Sequence, residues 1–276
     1  MAAVAVAGVA SAQVTITGAI GAGLSDTSAA VRSFGWTDSK LTFAASEDLG
    51  GGMSAAVSMT IESYGDGAAS TNVNAGGATL DVKTANAGSL SFFSTGAAAH
   101  DLAVGSMPYG TNDVLGGTTN DYTALQYNLP TLVDGLSIGV RWASTDTVAT
   151  AGLDKQFRFG YNLAGAALTF NTKSTSTGTA SSAGLSYDLA GATLKVVTDT
   201  SAQTGIDKKT EYSISMPVGA VTVAASNMTK GTLKATEATA KIALSKRTTV
   251  QASIGTFSGT GITTTSANRV KIVHSF

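Results

Sequence analysis

The chain ends RVKIVHSF (269–276). Read in twos from the last residue, Phe276, His274, Ile272 and Val270 share one face, and Ser275, Val273, Lys271 and Arg269 share the other. Chain ends are usually polar and frayed. A terminus that keeps strict alternation up to a final aromatic ring predicts a strand that has to pair with another.

The same period of two runs through the whole chain, and helical periodicity is nearly absent. LSIGVRW (136–142) sets Leu136, Ile138, Val140 and Trp142 against Ser137, Gly139 and Arg141. QFRFGYNL (156–163) sets Phe157, Phe159, Tyr161 and Leu163 against Gln156, Arg158 and Gly160. Sixteen such runs are expected, centred near residues 19, 42, 58, 82, 92, 126, 140, 158, 169, 185, 195, 212, 223, 240, 252 and 272.

The connections are expected to alternate strictly in length. Tight turns are predicted at 47–52, 86–88, 130–135, 164–165, 190–191, 217–219 and 245–247. Longer loops are predicted at 25–38, 64–77, 96–121, 145–153, 174–179, 200–207, 229–234 and 257–266. All three prolines fall in connections, where they interrupt no ladder. The pattern is an up-and-down antiparallel meander with its short turns at one end.

Alternation alone fits both a soluble sandwich and a membrane barrel. Three features favour the barrel. An even number of meander strands can close and leave no edge, which a bilayer demands. YNLP (127–130), YNLAG (161–165) and YDLAG (187–191) repeat a Tyr beside a short turn, as in an aromatic girdle. The polar faces carry Ser, Thr, Gly and a few charges, suiting a water-filled lumen. At sixteen strands a barrel leaves an aqueous channel.

Composition narrows the function. Charged residues are 13% of the 276, about half the usual share, and the net charge is −1. A nucleic-acid partner therefore has no electrostatic footprint. Without cysteine there is no disulfide framework or thiolate metal site; no metal cluster or cofactor motif is visible. Residues 1–12 are apolar and end Ala10-Ser11-Ala12, predicting an export leader with Gln13 as the first mature residue and one barrel domain over 13–276. No Lys or Arg precedes the apolar stretch, so the leader is expected to begin further upstream.

QVTITGAIGAGL (13–24), SKLTFAASEDLGGGMSAAV (39–57), IALSKRTTVQASIG (242–255) and the terminal RVKIVHSF resemble the trimeric general porins of the Gram-negative outer membrane, especially the betaproteobacterial type. The resemblance implies a sixteen-stranded transmembrane barrel, a homotrimer, and passive diffusion of small hydrophilic solutes and ions. It further implies a third outer loop, here 96–121, folded into the lumen, and a terminal Phe276 read by the outer-membrane assembly machinery. A solute-specific channel of the same fold is the alternative.

If apolar positions face lipid, parity assigns Lys40, Lys83, Arg141, Arg158, Lys173, Lys195, Lys241, Arg269 and Lys271 to the lumen, against Glu62, Asp81, Glu211 and Glu237. Lys83 is favoured partly because the family often has a basic residue on that strand. Lys40 and Lys173 are expected near the outer ends. Such a wall predicts a weak preference for anions. The long loop adds His100, Asp101 and Asp113 at the expected constriction, with Asp121 at its end. Ser94, His100 and Asp101 also allow a hydrolase reading, but nearness in sequence is not triad geometry. A polar residue in a constriction explains His100 better.

Overall fold

In the computed structural model, which describes residues 13–27, 30–62, 74–95, 122–145, 153–175, 178–201 and 208–276, the chain forms sixteen antiparallel strands. They are β1 (Gln13–Thr27), β2 (Ala30–Gly50), β3 (Met53–Glu62), β4 (Asn74–Thr84), β5 (Gly88–Thr95), β6 (Tyr122–Asn128), β7 (Leu136–Thr145) and β8 (Leu153–Leu163). The second half comprises β9 (Ala166–Thr175), β10 (Gly178–Leu189), β11 (Ala192–Ser201), β12 (Lys209–Val218), β13 (Val221–Lys230), β14 (Leu233–Ala243), β15 (Thr248–Gly259) and β16 (Ile262–Ser275). Each expected centre falls inside its strand. Every strand pairs with its sequence neighbours, and β1 pairs with β16, so the sheet is a closed barrel.

The closing seam runs from Ala19 opposite Ser275 to Thr27 opposite Ala267. Beyond it, the Gly18 and Phe276 amides each donate to the other's carbonyl at 3.0 Å. Gly18 is required there. A Cβ would meet the Phe276 ring and come within 2.8 Å of the Lys40 carbonyl oxygen. The last strand is thus locked to the first up to the terminal residue.

Burial identifies the two faces of the wall. The buried strand residues, among them Ala19, Arg141, Asn171, Glu211, Met228 and Phe257, all lie on one register-linked face. Large exposed hydrophobics such as Ile16, Leu80, Phe92, Trp142, Phe170 and Ile254 lie on the other. In a closed cylinder curvature crowds side chains on the concave side and splays them on the convex side. The mostly polar face is therefore inside and the apolar face outside, the reverse of a soluble domain.

The expected alternation of connection lengths holds only in part. Between β1 and β2, and between β9 and β10, only residues 28–29 and 176–177 intervene. Residues 231–232 and 260–261 are likewise two-residue connections, with Gly231 and Gly261 at φ 59° and 77°. Four of the eight outer connections are thus as tight as those at the other end. Much of the extra strand length on β1 and β16 is Ser, Thr, Ala and Gly, whose backbones pair while their side chains give little hydrophobic period. β2 is the longest, at 21 residues: it bulges opposite β1 at Gly21/Ala22, and its outer part carries Phe34 and Trp36 on the outward face. The expected inward fold of 96–121 lies outside the described residues.

The inner-end turns at 164–165 and 190–191 place both central residues at positive φ: 46° and 83° for Ala164 and Gly165, 50° and 90° for Ala190 and Gly191. Two-residue hairpins need this geometry because its twist matches that of the strands. Alanine tolerates it poorly, whereas asparagine is at home there. Ala164→Asn and Ala190→Asn should each stabilise the barrel by about 0.5–1 kcal/mol. Urea unfolding of the micelle- or bilayer-embedded protein is the check.

Candidate functional site

Among the described residues the cross-strand register sets eleven basic ones on the inner face: Lys40, Lys83, Arg141, Arg158, Lys173, Lys195, Lys209, Lys230, Lys241, Arg269 and Lys271. Among the described residues eight acids share it: Asp48, Glu62, Asp81, Asp154, Asp188, Asp199, Glu211 and Glu237. Parity from sequence misses Asp48, Asp154, Asp188, Asp199, Lys209 and Lys230 because they lie in or flank connections and read as loop. Their inclusion narrows the basic excess from more than two to one to eleven against eight.

Several inner acids have cationic neighbours. Lys173 Nζ is 3.1 Å from Asp154 Oδ2, both side chains half-buried near the outer rim. Lys209 Nζ is 3.7 Å from Glu211 Oε2, and Glu211 is only 2% exposed. Lys40 is opposite Glu62 in the register. It is also ten residues into β2 rather than at an outer end, since that strand begins at Ala30. Asp81 accepts a hydrogen bond from the Ser91 hydroxyl.

At mid-height on β5 to β10 the inner wall is different. Gln126 on β6 is opposite Arg141 on β7. Arg141 donates from Nε at 2.9 Å and from Nη2 at 2.7 Å to the single oxygen Gln126 Oε1. Arg158, one strand further round, donates from Nη1 to that same oxygen at 3.5 Å and from Nε to Asn171 Oδ1 at 3.4 Å. Asn171 donates to Ser182 Oγ at 3.3 Å. On the other side Gln126 Nε2 donates to Asn128 Oδ1 at 2.8 Å, and Asn128 Nδ2 to Ser89 Oγ at 3.1 Å. A continuous polar girdle therefore crosses six strands, with two guanidinium groups at its centre.

Packing distinguishes the two arginines. The Arg141 guanidinium carbon is 4.9 Å from the centroid of Phe93, an inward ring on β5, and the residue is only 8% exposed. Flat stacking of this kind suits a delocalised cation. Arg158 is exposed, and its hydrogen-bond acceptors are neutral amide oxygens. Gly139 explains its reach: it is opposite Arg158 in the register, and its missing side chain leaves a gap across β7.

Of the other expected pore residues, Lys83 is opposite Ser54 and Ser89, Lys195 opposite Ser186 and Ser213, and Lys241 opposite Thr222 and Gln251. Arg269 is flanked by Ser25 and Ser253, and Lys271 by Gly23 and Gln251. They are spread round the cylinder and do not converge on one point. Phe276 is on the outer face at the inner end, over Gly18. His100, Asp101 and Asp113 lie outside the described residues. Gln126, Asn128, Asn171 and Phe93 are absent from the sequence-based set. Parity places them inside, but only the register shows that they converge on the arginines.

Residues 1–261 match the family described as Gram-negative porin. No curated protein matches the chain in sequence. Among solved structures it is similar to a loop-deletion mutant of OmpT, an outer membrane protein of Vibrio cholerae, with a TM-score of 0.74 at 13% identity over 96% of this chain and 99% of that one. A mutant porin of Rhodopseudomonas blastica gives 0.70 at 13% identity, over 96% of this chain and 100% of that one. Identities so low speak for the fold; the family match speaks for more.

Proposed function

The chain belongs to the Gram-negative porin family, whose members are outer-membrane channels for passive diffusion of small solutes, and from that premise we propose that its lumen weakly prefers anions. It is a channel rather than an enzyme. The observation that carries the preference is the mid-height girdle, where the exposed Arg158 is held by neutral acceptors while several carboxylates elsewhere on the wall have cationic neighbours. Charge in a low-dielectric wall focuses its field on the channel axis, so an exposed arginine at mid-height weighs more than paired cations at the rim.

Three further elements complete the reading. The 96–121 loop folds into the lumen. Supporting this, Val197, Met228, Ala235, Glu211 and Glu237 are at most 5% exposed although they face the interior of a wide barrel. The functional unit is a homotrimer. Its support is an asymmetry of the outer surface. Outward aromatic rings occur on β2, at Phe34, Trp36 and Phe43, and on β5 to β12, at Phe92, Tyr127, Trp142, Phe157, Phe159, Tyr161, Phe170, Tyr187 and Tyr212. The described outward side chains of β13 to β15 are aliphatic or polar, including Ala225, Asn227, Thr236, Ala238, Ala240 and Ala252. Aromatic rings anchor a barrel at a lipid interface, and small residues let backbones approach closely. Finally, residues 1–12 act as an export leader that leaves Gln13, the first residue of β1, as the mature N-terminus. Phe276 is read during assembly.

Single-channel recording in a salt gradient should give a modest anionic reversal potential, reduced in Arg158→Ser. A cation-selective wild-type channel overturns the proposal. N-terminal sequencing and the mass of the unheated, purified species should show Gln13 first and three chains per particle. A monomeric mass removes the trimer. Deleting Phe276 should leave refolding in detergent largely intact while abolishing assembly in cells; equal loss in both would make the residue purely structural.

A further inference from the structure

We propose that the inner end of β1 is a docking edge: residues 13–17 offer an open strand edge to an extended segment of a periplasmic polypeptide, which adds to the barrel as a short strand continuing the line of β16. Short turns mark the periplasmic end of an outer-membrane barrel, so this edge faces that compartment.

The seam leaves the edge uncovered. β16 stops at Phe276, whose amide and carbonyl are paired with those of Gly18. β1 runs on past that point to Gln13, and there its described partner is β2 alone, from Gln13 opposite Ser46 to Gly18 opposite Leu41. Along a strand the N–H and C=O of every second residue point to the same side. Gly18 points to β16, so Ile16 and Val14 point past its end. Among the described residues no backbone group bonds theirs.

Side chains and backbone at this edge ask for opposite surroundings. Val14 and Ile16 face outward and are 68% and 56% exposed. Hydrocarbon suits these side chains but excludes unpaired amides and carbonyls. Water suits the backbone groups but leaves the apolar side chains bare. A strand laid against the edge satisfies both. The stretch stands clear to receive one: on its inner face Gln13, Thr15 and Thr17 are exposed, whereas Ala19, Gly21 and Gly23 further along are buried. Residues 13–17 also lack the devices that blunt an edge, having no Pro, no charge and no bulge.

The surroundings set the chemistry of the occupant. Gly18 and Phe276 form the reciprocal pair of an antiparallel ladder, so the added segment runs in the direction of β16, away from the membrane. A second copy in the same membrane cannot supply it with its own β1, since both β1 strands run toward the outer end. Across the gap is the connection 244–247, tied to the seam by the Ser275 amide, which donates to the Arg247 carbonyl at 2.8 Å. Its Lys246 and Arg247 are exposed. The charges of the other inner-end connections are acidic: Glu47, Asp48 and Asp134. A segment with apolar residues at alternate positions covers Val14 and Ile16, and an acidic residue near its start meets Lys246 and Arg247.

The probe is a fluorescein-labelled synthetic heptapeptide alternating Val and Thr, with Asp near its N-terminus, titrated into the purified barrel in detergent and followed by anisotropy. Wild type should bind it saturably. Ile16→Pro removes a donor on the open side, where a proline ring is tolerated, and should weaken binding about five-fold or more. Arg247→Glu should weaken this peptide and strengthen one with Lys in place of Asp. N-methylating alternate peptide residues should abolish binding in one phase and spare it in the other, because only one set of amides faces β1.

No saturable binding by channels of normal conductance overturns the proposal, as does equal binding by Ile16→Pro or indifference to the phase of N-methylation. If Ile16→Pro fails to assemble, the N-methylated peptides test the edge on wild type alone. A particle mass that falls in Ile16→Pro with conductance retained would assign the edge to a second copy and overturn the periplasmic partner.

Discussion

Every other feature of this chain depends on the pairing of β1 with β16. A strand edge in hydrocarbon leaves amides and carbonyls without partners, at several kcal/mol for each group. The seam from Ala19/Ser275 to Thr27/Ala267 removes that edge, and the reciprocal Gly18–Phe276 bonds carry it to the last residue. Once the cylinder is closed, each strand's two faces acquire fixed environments. Alternation along the sequence then becomes a division between membrane and channel.

Closure also explains how polar side chains come to be the buried ones. On the concave side neighbouring side chains converge, so residues as polar as Ser182 and Asn171 are buried against their cross-strand neighbours. A buried polar group must find partners. The inner wall accordingly links side chains into runs across strands, such as the one from Ser89 through Asn128, Gln126, Arg158 and Asn171 to Ser182. The hydrophobic effect acts here mainly on the outside, through lipid.

The sequence was most legible where side chains were large. Leu136, Ile138, Val140 and Trp142 announce β7, and the three Tyr-containing repeats mark short turns at 129–135, 164–165 and 190–191. It was least legible where strands are made of small residues. The outer parts of β1 and β16 are rich in Gly, Ser, Thr and Ala, and an expected loop at 25–38 is mostly strand, with Phe34 and Trp36 two residues apart on its outward face. That misreading also hid charge: Asp154, Asp199, Lys209 and Lys230 belong to the inner face only because the strands reach them. Parity shows which way a side chain points, but the pairing of Gln126 with Arg141, and of Arg158 with Gly139, follows from register. Register is set by turn geometry and closure, which no single segment contains.

Register therefore sets selectivity as well as shape. A one-residue slip of β8 against β7 would turn Arg158 out toward lipid and bring Phe157 or Phe159 inside. The cost of burying that charge against hydrocarbon, about 2–4 kcal/mol at mid-depth, opposes the slip. The same arginine that attracts anions on the inside thus pins the strand that carries it. The aromatic residues on either side of it oppose the slip from the outside. Charge in the lumen and rings in the lipid are two halves of one constraint, and the alternation FRF (157–159) encodes both.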